Sequence, residues 1–118
     1  MNAIILPTES KQKNSNKTSE DFLQELSESS EQCKITTLAS LYFTISDIAL
    51  YCDRDADELR RKINYEPDSM ESRAYRKGVL ITTIKLRFDT CRFALGGNPQ
   101  AEEEMKGYLS RQKLDENA

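Results

Sequence analysis

Beyond Cys33 the apolar residues of this chain return at intervals of three and four, a period that gathers them on one side only if the backbone is α-helical. Ile35, Leu38, Ala39 and Tyr42 fall at i, i+3, i+4 and i+7 and define the buried face of a first core helix. Thr44 then stands where an N-cap is wanted, and Ile45, Ile48, Ala49 and Cys52 repeat the spacing over two turns. Asp55 with Glu58 three residues on has the form of a capping box, followed by Ala56, Leu59 and Ile63 at i, i+3 and i+7. Three short helices within about thirty residues predict a trihelical core.

The flanks are punctuated as clearly. Pro67 breaks the third helix, and Asp68 with Glu71 offers a cap for a long helix that runs to Gly96-Gly97. That helix carries two apolar stripes. Ile81, Ile84, Phe88, Cys91 and Leu95 form one, and Val79, Leu86 and Phe93 form another on a different side, so it needs two partners. One is expected from its own chain; the other suits the same helix of a second copy. Asn98 and Pro99 cap and open a last helix, with Ala101, Met105, Tyr108 and Leu109 on its buried face, which makes an antiparallel hairpin. Residues 113–118 are expected to fray.

Toward the other end, residues 8–20 are almost wholly polar and are expected to be a flexible arm. Ser19 is placed to cap a short helix with Phe22, Leu23 and Leu26 on its stripe, packed either on the chain's own core or on another protein. The expected architecture is all-α: a polar arm over 1–20, a trihelical helix-turn-helix domain over 21–66, a helical hairpin for oligomerisation over 67–113 and a disordered tail over 114–118.

Composition narrows the function. The 118 residues hold 17 basic and 20 acidic side chains, so no global field draws the chain onto a polyanion, and any nucleic-acid contact must be local. The positive charge is concentrated in the middle: residues 60–92 carry 9 basic and 4 acidic groups. There is no histidine, which removes the usual general base and the commonest transition-metal ligand. Three widely spaced cysteines, Cys33, Cys52 and Cys91, form no zinc-type pair and suit a reducing, cytoplasmic setting. Glu102 to Glu104 fan out around a helix and so suit its dipole better than a metal ion. No catalytic residue, cofactor, metal or membrane partner is expected.

The segment from Thr44 to Ile63 resembles a helix-turn-helix. Ala49 is small enough for a close helix crossing, and Ile48, Cys52, Leu59 and Ile63 would lock it. Asp53 occupies the turn position where glycine is usual, and aspartate tolerates the left-handed conformation required. Arg54 in the turn and Arg60, Arg61, Lys62 and Asn64 on the third helix are the candidate DNA contacts. Asp55, Asp57 and Glu58 at the start of that helix are unfavourable beside phosphates and pair at helical spacing with Arg61 and Lys62.

From Thr44 to Lys113 the order of features is similar to the small subunit of phage terminases. It rests on the helix-turn-helix, Ala74 to Gly78 opening the long helix, Leu86-Arg87 within it, Ala94 to Pro99 as the break, and Tyr108 to Lys113 at the end. The chain departs from that pattern in its acidic third helix and in lacking a glycine-rich apolar finish. The resemblance implies a non-enzymatic subunit in the bacterial host cytoplasm that forms a homo-oligomer, recognises double-stranded viral DNA and recruits or regulates the terminase large subunit, an ATPase-nuclease. It would make Arg54, Arg60, Arg61 and Lys62 DNA-contacting, and Val79, Ile81, Ile84, Phe88, Cys91 and Leu95 part of the assembly region. A dimeric helix-turn-helix transcription regulator of a phage or mobile element, and an oligomeric adaptor that binds protein only, fit the same residues.

Overall fold

The computed structural model describes residues 16–118, so most of the expected polar arm lies outside the described residues. Six helices and no strand occur among them: α1 Ser19–Glu28, α2 Glu31–Ser40, α3 Ile45–Tyr51, α4 Ala56–Tyr65, α5 Met70–Leu95 and α6 Pro99–Glu116. No helix among the described residues is long and apolar enough to cross a membrane.

Local side chains start each helix. Thr18, one residue before the expected Ser19, caps α1 in a reciprocal box with Asp21. Ser30, Thr44, Asp55 and Asn98 accept the N–H three residues on in α2, α3, α4 and α6. In α5 the capping oxygen is that of Ser69, 3.1 Å from the Ser72 N–H, and not the carboxylate of Asp68. Glu71, expected to assist that cap, is engaged elsewhere.

Three helices end in one hydrogen-bond pattern. Phe43 N–H donates to Leu38 O, Arg54 N–H to Ala49 O and Asn98 N–H to Phe93 O, each beside a bond from the preceding residue to the carbonyl three residues before it. This Schellman closure places its penultimate residue in the left-handed region. The residues there are Tyr42 at φ 71°, Asp53 at φ 58° and Gly97 at φ 94°. Tyr42 therefore leaves the helical face expected for it, and its ring is exposed. At the far end α6 continues to Glu116, so the tail expected over 114–118 is largely helical.

The chain divides into two compact units, with the boundary inside α5 after Thr82. In the first unit a single core joins Leu26, Ile35, Leu38, Ala39, Ile48, Ala49, Leu59, Ile63 and Ala74, with Phe22 packed against it, so α1 folds back on its own domain. Burying a side chain of this size stabilises by roughly 1.5–3 kcal/mol. The start of α5 is fastened to α2 by Thr36 Oγ1 donating to Ala74 O at 3.0 Å and by Thr82 Oγ1 donating to Ser40 O. Gly78 sits between these bonds, where a Cβ would lie 2.8 Å from the Cβ of Ala39 and closer still to the carbonyl oxygen of Thr36. Only glycine permits this approach.

The second unit is built differently. The end of α5 turns at Gly97 into α6, and the Arg87 guanidinium lies 4.0 Å from the centroid of the Tyr108 ring. Ala101 is its one buried residue. Ile84, Leu86, Phe88, Phe93, Leu95, Leu109 and Leu114 are exposed.

Candidate nucleic-acid interface

Asp53 turns the chain between α3 and α4, and the two helices meet through Ile48, Ala49, Leu59 and Ile63, which are all buried. Ala49 is only 1% exposed, consistent with a small residue at a close approach. This packing turns the opposite side of α4 outward.

Arg54 does not join that outer side. Its guanidinium donates to Glu71 at 2.7 Å, Glu58 at 2.9 Å and Glu31 at 3.2 Å, and its side chain is 17% exposed. Arg54 thus ties the turn to α2, α4 and α5 and is withdrawn from the set of candidate DNA contacts. Its hydrogen bond to Glu71 above all, opposed by burial, raises its pKa still further. Burial alone would raise the Glu71 carboxyl, but the Arg54 hydrogen bond and charge outweigh it and leave the carboxyl below its ordinary value. The same interaction explains why Glu58 does not complete the expected capping box, because both its oxygens accept from Arg54.

The remaining candidates on α4 lie at the surface, each cation with an acidic partner. Arg60 contacts Asp57 at 2.9 Å and also donates to Ser46 of α3. Arg61 meets Glu66 at 2.6 Å, and Lys62 approaches the same carboxylate at 3.5 Å. The expected pairing of Arg61 and Lys62 with the acidic start of the helix gives way to pairing with its C-cap residue. Arg61 is 57% exposed, and surface pairs of this kind contribute about 0.2–1 kcal/mol, so a phosphate can displace them. Asn64 is exposed.

A cluster of three further cations lies on α5. Arg73, Arg76 and Lys77 lie at i, i+3 and i+4, are exposed, and take part in no ion pair among the described residues. With Gln32, Ala74 and Leu80 they line a hollow of about 470 Å³ within the first unit. The signal was present in the sequence: no Asp or Glu stands three or four residues to either side of any of the three, whereas Arg60, Arg61 and Lys62 each have one at that spacing.

Of the residues expected to support assembly, Val79, Ile84, Phe88 and Leu95 are exposed, and Ile81 and Cys91 are half-buried. The fold and these surfaces define an all-helical protein with a basic hollow in one unit and an apolar hairpin surface in the other. No protein-family model, no curated protein and no solved structure matches the chain.

Proposed function

We propose that the chain is the non-catalytic small subunit of a phage DNA-packaging terminase, which binds double-stranded DNA through a helix-turn-helix, assembles with copies of itself and recruits or regulates the large ATPase-nuclease subunit in the host cytoplasm. The observation that carries this reading is the α3–α4 pair: closed by a left-handed Asp53, packed through Ala49 and Leu59, and bearing Arg60, Arg61 and Asn64 on its outer side. The resemblance from Thr44 to Lys113 supplies the packaging role. The exposed apolar residues of α5 and α6 support self-assembly, since a run of this kind on a small chain marks an interaction surface.

Fluorescence anisotropy of the full chain with a labelled duplex tests the DNA contact. The pair Arg60→Ala and Arg61→Ala should lower the slope of log K against log salt by close to 2, at about 0.9 per phosphate released. An unchanged slope removes α4 from the interface. One observation favours the protein-only adaptor instead: each α4 cation already holds a carboxylate of its own chain. Absence of any salt-sensitive duplex binding by the full chain would select that reading.

A further inference from the structure

We infer that the hollow lined by Gln32, Arg73, Ala74, Arg76, Lys77 and Leu80 is a second nucleic-acid contact, one that grips the phosphodiester backbone independently of α4. This rests on the reading of the chain as a DNA-binding subunit and adds a surface that the helix-turn-helix does not include.

Charge is the first argument. Three like charges at i, i+3 and i+4 repel one another on a helix, and among the described residues none of the three is paired with a carboxylate. Elsewhere in the first unit Lys17, Arg54, Arg60, Arg61 and Lys62 each meet an acid, and Lys34 of α2 stands alone rather than in a cluster. A polyanion supplies what the chain withholds from α5.

Preorganisation is the second. The buried Ser72 hydroxyl donates to Ile63 O at 2.9 Å and accepts the Arg76 Nε–H at 3.1 Å, while Arg76 Nη2 donates to Pro67 O at 2.6 Å. A guanidinium has five N–H donors, and these bonds use two, which leaves three for a ligand on a group that is already oriented. The backbone beneath is held as firmly, because Ala74 and Gly78 fasten this stretch of α5 against α2. Donors fixed in this way lose little entropy on binding.

Shape is the third. The Gln32 amide brings a neutral hydrogen-bonding group from α2, and Ala74 with Leu80 provides an apolar wall. Phosphate oxygens suit the cations, and a sugar face suits the wall. A grip on phosphate and sugar carries no sequence information, so the contact should be indifferent to sequence.

The test is anisotropy of the full chain with two labelled duplexes of unrelated sequence, over a salt series. The variant Arg73→Gln with Lys77→Gln keeps part of each aliphatic stem and removes the charge, and circular dichroism checks that its helix content is unchanged. The expected result is a slope shallower by close to 2 for both duplexes, with the charge-conserving Arg73→Lys retaining wild-type binding. An unchanged slope in a folded double variant overturns the inference. Run beside Arg60→Ala with Arg61→Ala, the experiment separates the two surfaces. Loss only in the α4 variant refutes the hollow and keeps the helix-turn-helix; loss only in the α5 variant does the reverse; loss in neither refutes both. Competition by poly-glutamate as strong as by a duplex of equal charge would assign the hollow to an acidic protein segment and also overturn the inference.

Discussion

Tyr42 occupies the left-handed region at φ 71°, where a side chain costs about 1–2 kcal/mol, and it does so at a helix end that glycine closes elsewhere in the chain. Its ring is mostly exposed, so little packing is lost with it. Tyr42→Gly should therefore stabilise the first unit by about 0.5 kcal/mol after the greater backbone entropy of glycine is set against the relieved strain, read as a higher urea midpoint. A lower midpoint would mean that the ring contributes contacts worth more than the strain. Glu71 makes a second prediction. Its carboxyl is held below the ordinary glutamate value, so the stability it contributes is complete above that value and is lost as pH falls through the lower, folded one. Acid unfolding of Glu71→Gln should accordingly have a flatter limb below about pH 4.3, with lower stability at neutral pH because Arg54 loses its nearest anion. An acid limb as steep as the wild type's would show that other carboxylates set it. Such residues mark the limit of sequence reading. Asp53 was legible as a left-handed turn from its type alone, but the fate of Arg54 depends on Glu31 and Glu71, which lie 23 and 17 residues away.

Gly78 shows how a helix can contain a residue its own propensity opposes. Alanine is preferred to glycine inside a helix by about 1 kcal/mol, yet a Cβ here would meet the Thr36 carbonyl and the Ala39 side chain. Gly78→Ala should destabilise the first unit by about 2 kcal/mol, the reverse of the propensity order, measured by urea unfolding. A gain in stability would show that α2 and α5 separate at little cost. The helices themselves were legible, since their starts depend on local chemistry: Thr44, Asp55 and Asn98 cap as expected. The end of α2 was harder to read, because its closure at Tyr42 uses no glycine and the stripe through Tyr42 ran on past the true end of the helix. The contrast between α4 and α5 was equally open to inspection, in the acids that accompany one set of cations and not the other.

The two units divide burial unequally. The first contains nearly all the buried apolar residues; from Thr83 onward only Ala101 is fully buried, with Cys91, Ala94, Met105 and Tyr108 half-covered. Phe88, exposed on a helix with two apolar stripes, is the natural probe of what covers the rest. Phe88→Glu should reduce the mass seen by light scattering and leave the urea unfolding of the first unit unchanged, since a charge on an exposed position offends only an interface. An unaltered mass would separate this residue from assembly. The two stripes on α5 were legible from their spacing, but sequence could not say that α6 leaves so much of them open, because coverage depends on how two helices face each other. A hairpin that buries one alanine gains little hydrophobic free energy by folding alone. On the proposed self-assembly, protein concentration becomes a condition for order in this part of the molecule: progressive dilution should melt the hairpin as urea would, with the N-terminal core left standing.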